Sequence, residues 1–224
     1  MPWSYNMFVG HLAVALAARK AEPSLPLGAS VAAAFGVDLL WPVLLLTGIE
    51  VVRVSPHDTA FTGLAFESYP WSHSLLMVLV WSVLAGLVAK GLLGSTRNAV
   101  IVGALVTSHW VLDAVTHRPD LPLWPGGPLV GLGLWGSVPA TIAVEGALLV
   151  IGIFFYMQTT SPKDRIGSLG FYGLVLLCAA MWISQPWAPP PPSATAVALG
   201  SLVLWLFVPW SQWVDNHRVV RRAA

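Results

Sequence analysis

Charge is scarce in this sequence, and so is cysteine. Of its 224 residues, 9% are Asp, Glu, Lys or Arg, where soluble domains carry about 25%. Together with 56% apolar residues, that deficit excludes a soluble enzyme and a disordered chain. The single cysteine, Cys178, lies in an apolar run and permits no intrachain disulfide, which excludes a disulfide scaffold. Eleven basic residues against ten acidic ones leave a net charge of +1, so nucleic acid is not an expected partner. What the chain has is apolar length and twelve tryptophans, with a mean hydropathy of +0.74. These point to a lipid-embedded chain with aromatic anchors at the membrane interfaces.

A hydrocarbon core of about 30 Å needs roughly 20 apolar residues as a helix. Six runs reach that length: 29–51, 72–93, 98–116, 129–157, 167–185 and 194–213. A seventh, 7–18, is shorter, roughly 18 Å at 1.5 Å per residue. It reads as a short, tilted or re-entrant helix, or as a span completed by the residues before it. Arg19 and Lys20 follow that run, whereas a cleavable signal peptide carries its positive charge in front. The segment is therefore expected to be retained.

Arg19, Lys20, Lys90, Arg97, Lys163, Arg165, Arg218, Arg221 and Arg222 fall on one side of these spans; Arg53 and Arg118 fall on the other. This positive-inside bias predicts a cytoplasmic C-terminus and outer loops at 53–71, 118–128 and 185–193. The Pro-rich 186–192 segment reads as a stiff, extended connector. The fold class expected is all-α, a polytopic transmembrane helical bundle of six long spans plus a short N-terminal helix. One domain covers 1–224: the site in 1–125, three further helices in 129–214, and a basic tail at 215–224.

Ionisable residues inside a membrane are costly and functional by default. The candidates are His11, Asp38, His73, His109, Asp113 and Glu145, with His117 at a span end. His109, Asp113 and His117 stand at i, i+4 and i+8, on one side of a helix that Pro119 ends. A His-x3-Asp-x3-His ladder suits a borderline divalent metal such as zinc. The plainer alternative is a His–Asp pair that satisfies itself by hydrogen bonding in the core. Ser72 is expected to cap the 72–93 span, with His73 in its first turn, at the depth of the ladder. Asp38 would lie deeper in a straight helix, unless Pro42 kinks it. His11 taken alone reads as core, and Glu145 reads equally as core or as function. His57, Asp58 and Glu67 are expected to be solvated. His217 is expected at the surface, with Asp215 pairing to it or to Arg218.

Gly10-His11, Asp38-Leu39-Leu40, Ser72-His73-Ser74-Leu75-Leu76 and His109-Trp110-Val111-Leu112-Asp113-Ala114-Val115-Thr116 resemble the small inner-membrane proteins classed as membrane-bound metal-dependent hydrolases, a family also described as LexA-binding. The resemblance covers roughly residues 8–125. The ligand order is also similar to that of zinc-dependent phospholipase C. It implies His73, His109 and Asp113 as central metal ligands, Asp38 as a fourth, and His11 and His117 as ligands of neighbouring metals. Tyr69-Pro70-Trp71 stands where many members carry His-Arg, and Thr141-x3-Glu145 stands where the phospholipase pattern has His-x3-Glu. One or two ions, zinc first, are therefore expected rather than three.

The expected activity is attack by metal-activated water on a phosphodiester or ester of a membrane lipid or lipid-linked substrate. Asp38, Asp113 and Arg118 are the residues expected to act on that substrate. Arg118 could orient an anionic group and Asp120 could support a ligating histidine, or the two form a simple interfacial charge pair. The rival classes are a metal or proton transporter, and a scaffold with a structural metal.

Overall fold

A computed structural model of the chain describes residues 9–56 and 58–221. His57 and the start of the 7–18 run lie outside them, as does Arg222. Five helices are long and apolar enough to cross a membrane. They are α5 (Leu75–Leu93), α6 (Thr96–Thr116), α7 (Val138–Thr159), α8 (Arg165–Ile183), and the pair α9 (Ala194–Ser201) and α10 (Leu204–Asn216), which run on as one span. The expected 29–51 span is instead two helices, α2 (Leu27–Ala34) and α3 (Gly36–Leu46), bent by 52°. Counted as one span, they bring the total to six. The bend falls at Phe35, not at Pro42, which sits inside α3.

The first described helix, α1 (Val9–Ala21), runs for about 20 Å at 1.5 Å per residue over its described residues. It fills the middle of the bundle: Val9, His11, Leu12, Ala15 and Leu16 are all buried, and the helix packs along α7, α2 and α6. Gly152 of α7 makes that approach possible, since a Cβ there would collide with the Ala13 backbone. Apolar helices gain nothing from leaving lipid for one another, so close packing of small residues holds such contacts.

Three small antiparallel two-stranded ladders stand at the ends of an otherwise mostly helical fold. At one end, β1 (Val51–Val54) pairs with β2 (Leu64–Ser68), and β3 (Leu121–Pro122) with β4 (Leu129–Val130); at the other, β5 (Thr160–Pro162) pairs with β6 (Arg218–Val220). The 129–157 run therefore begins as strand and loop, and its helix starts only at Val138.

The end with β5 and β6 carries a buried polar layer. Asp215 accepts from the Leu27 N–H (3.1 Å) and the Tyr156 hydroxyl (3.0 Å), and pairs with Arg19 (3.2 Å). Its expected partners lie elsewhere: His217 pairs with Asp164 (2.7 Å), and Arg218 is buried, donating to Thr160 Oγ1 (3.0 Å) and the Gly167 carbonyl (2.6 Å). Asp215 is drawn inward because Arg19, buried on α1, also donates to the Leu25 carbonyl and needs an anion.

Candidate metal centre

The break in α2–α3 does the first work of positioning. Ala34 ends α2 with its carbonyl turned to α6, where it accepts from His109 Nδ1 at 2.7 Å. A carbonyl can only accept, so Nδ1 carries a proton, and in the neutral ring Nε2 presents its lone pair. That Nε2 is buried and makes no hydrogen bond. It lies 3.3 Å from Asp113 Oδ2 and 3.6 Å from Asp38 Oδ1.

His73 repeats the arrangement from the other side. It ends the one-turn helix α4 (Pro70–His73), whose first N–H groups, at Trp71 and Ser72, both donate to Glu50 Oε1 at 2.8 Å. The Ser72 hydroxyl donates to Glu50 Oε2 (2.6 Å), so it can only accept from His73 Nδ1, 2.6 Å away. In the neutral ring, His73 Nε2 is the second lone pair. It lies 3.4 Å from Asp38 Oδ1 and 3.8 Å from Asp113 Oδ2. Ser72 does not cap the long span as expected; extended backbone at Ser74 starts a separate helix there, and the Ser74 hydroxyl caps α5.

Lone pairs and carboxylates repel across such distances unless a proton or a metal cation lies between them. Four atoms each about 2.0–2.1 Å from one tetrahedral zinc stand roughly 3.3–3.4 Å apart, close to the spacings here. Among the described residues, two groups bring ligand atoms within 4.8 Å of one another: Asp38, His73 and His109, and His11, His109 and Asp113. His11 stacks on His109 (3.7 Å between centroids, 7° between planes) with Nε2 3.3 Å from Asp113 Oδ1. The donor set fits a divalent ion.

Of the residues expected at the site, five meet: His11, Asp38, His73, His109 and Asp113. His117 stands beside them. It leaves the helix in extended conformation, so the ladder ends at Asp113, and its Nδ1 meets Asp120 Oδ1 (2.9 Å) and the Tyr69 hydroxyl (3.3 Å). Burial, and then the facing carboxylates of Asp120 and Asp113, hold the Tyr69 phenol well above its ordinary value. It stays protonated and donates to Asp120 Oδ1 at 3.1 Å. Arg118 is half exposed and pairs with Asp58 (3.0 Å) and Asp120 (3.2 Å), the charge-pair arrangement. Asp58 itself is mostly buried, and burial raises its carboxyl above the usual range. Glu145 is fully buried below the site, where Oε1 accepts from Trp135 Nε1 at 3.3 Å.

Trp135, Trp41, Phe66 and His117 wall a chamber of about 20 Å³ against His11, Asp38, His73 and Asp113. It has room for an ion or a single water. Glu50 and the Ala34 carbonyl were not evident in the sequence. An acid closing the 29–51 run is the one signal for Glu50; a carbonyl freed by a helix break has none.

No family model matches the chain, and neither a curated protein nor a solved structure does.

Proposed function

We propose that this chain is a metal-dependent hydrolase of a bacterial-type inner membrane, with zinc held by Asp38, His73, His109 and Asp113 and with His11 against Asp113. One observation carries this reading. Two imidazoles, each with its Nδ1 proton given to an outer acceptor, aim Nε2 at two carboxylates. Such outer partners fix the tautomer of metal-binding histidines. The chemistry a bound ion supplies is activation of water, whose pKa falls to about 7 on zinc.

The chain's own part is to hold, orient and exclude. Ala34 and the Ser72–Glu50 pair fix the imidazoles, and the Trp41, Phe66 and Trp135 rings keep bulk water out. The chamber has room for an ion or a water but not for a lipid, so a substrate would present its scissile bond at the chamber's mouth and keep its body outside. By the positive-inside rule, the end with Arg19, Arg97, Lys163 and Arg218 faces the cytoplasm. The centre then faces the outer side, within reach of a phosphodiester or ester of a lipid or lipid-linked molecule.

Transport is the weaker reading, because the bundle closes below the centre. Leu12 and Leu16 of α1, Leu105 and Val106 of α6, and Leu149 of α7 are buried between it and the Arg19–Asp215 layer. The test compares zinc-loaded protein in vesicles on two assays, hydrolysis of phosphodiester and ester lipids and zinc flux. Hydrolysis lost in Asp38→Asn, without flux, supports the proposal; flux without hydrolysis overturns it.

A further inference from the structure

A second cavity lies on the opposite side of α3 from the metal centre. It is a cleft of about 510 Å³, walled on one side by Ala32, Gly36 and Leu40 of α2–α3 and on the other by Leu84 and Val88 of α5, with Val106 of α6 at its floor. Helix α5 packs on α6, and so does α2, while α5 and the bent pair face each other across the opening. The lining side chains are hydrocarbon except for the Trp81 indole, whose N–H is already bonded to the Trp71 carbonyl at 2.9 Å.

What fills this space follows from its chemistry. Water needs two to four polar partners in a cavity, and the cleft's lining is almost wholly apolar. Its volume lies within the range of ligand pockets, about 300–1,000 Å³. No described segment occupies it, and a Cβ at Gly36 would meet nothing within 4 Å. The rim runs onto the outward face of α5, where Leu84, Val88 and Leu92 are exposed. In a span that face meets lipid, and the cleft is continuous with it.

We propose that the cleft holds one acyl chain of a bilayer lipid, and that this chain supports the broken helix supplying Asp38 to the metal centre. On α3, Gly36 and Leu40 share one face, and Asp38, roughly 200° away from each, occupies the other. A chain seated against Gly36 and Leu40 backs the wall that carries Asp38, one turn from the Ala34 carbonyl that orients His109. The site rests on the membrane reading alone; its coupling to metal also needs the metal centre, but neither needs hydrolysis.

The test places the full chain in phospholipid nanodiscs containing a phospholipid with a photoreactive diazirine in its acyl chain. The expected result is labelling of 29–40 and 81–93 several-fold above that of Val150, Ile151 and Phe154, exposed on α7. Either Gly36→Leu or Ala32→Leu, which fills the cleft, brings this labelling down to the α7 level. Ala32→Leu lies further from Asp38 and guards against local damage by Gly36→Leu. Labelling no higher than on α7 overturns the site, as do cross-links showing a second copy, or residues 1–8, in the cleft.

The coupling is read separately as zinc affinity. Stripping lipid should weaken it about fivefold or more, the low end of ordinary coupling between two sites, and Ala32→Leu should make it independent of lipid. Zinc affinity indifferent to lipid in the parent overturns the supporting role. If no zinc binds at all, the metal reading fails while the labelling arm still decides the acyl site.

Discussion

His109 faces Asp113 one helical turn further along α6, Nε2 to Oδ2 at 3.3 Å, with its other nitrogen tied to the Ala34 carbonyl at 2.7 Å. A self-satisfied His–Asp pair would have the imidazole donate to the carboxylate. In the neutral ring that a metal requires, the donor nitrogen points away and a lone pair faces the acid. A proton on Nε2 would make the two an ordinary ion pair, so bound metal is what separates a ligand set from a core pair.

The outer partners of His73 are therefore expected to matter for metal rather than for folding alone. Ser72→Ala removes the acceptor of the His73 Nδ1 proton, and Glu50→Gln alters what holds Ser72. Each should weaken zinc affinity by about 10–100-fold, the usual range for lost outer partners, measured by competition with a chelating dye. Ser72→Thr, which keeps the hydroxyl, should recover most of it. A loss of helicity matching the loss of affinity would instead mark a purely structural role.

At the opposite end, Asp215→Ala strands Arg19, both side chains being about nine-tenths buried. Removing one partner of a buried pair costs about 3–5 kcal/mol, read by denaturation in detergent. Replacing both with apolar residues, Arg19→Met with Asp215→Leu, should restore much of that loss. Equal stability of Asp215→Ala and the parent would contradict the assigned pairing.

Outside the spans, Asp164 caps α8 through the Gly167 N–H (3.0 Å) and meets His217 (2.7 Å). The Gly167 hydrogen bond, and then His217, hold its carboxyl below the usual range. A depressed carboxyl contributes stability above its unfolded pKa, about 3.9, and loses it as pH falls through the folded value. Asp164→Ala should accordingly melt below the parent at neutral pH, with the gap closing below about pH 4. A gap that persists in acid would rule out the charge as its source.

Much of the centre was legible because charge is so rare in the chain. His73, His109 and Asp113 stand out against apolar spans, and topology alone carries His73 to the end where Asp113 lies. Asp38 was legible as a residue but not as a position. A kink at Pro42 was the visible device, whereas the bend at Phe35 depends on how α2 and α3 pack, which local pattern does not encode. His117 keeps ladder spacing on paper and leaves the helix in fact: it is the C-cap of α6, with extended backbone, two residues before Pro119. Asp215 was misplaced for a similar reason. Its partner Arg19 is 196 residues away, and neighbours in sequence look nearer.

The short first helix was the least legible element. Thirteen described residues suggest an accessory piece, and only Gly152, about four turns into α7, hints that another backbone must come close.

The most direct measurement is bound metal in protein purified in detergent and passed through a desalting column, by elemental analysis beside Asp113→Asn and His117→Ala. The parent should retain one or two zinc ions per chain, Asp113→Asn should lose them, and His117→Ala, outside the groups whose ligand atoms lie within 4.8 Å of one another, should keep at least one. Equal metal in the parent and Asp113→Asn, or none in the parent after incubation with micromolar zinc, would contradict the metal centre.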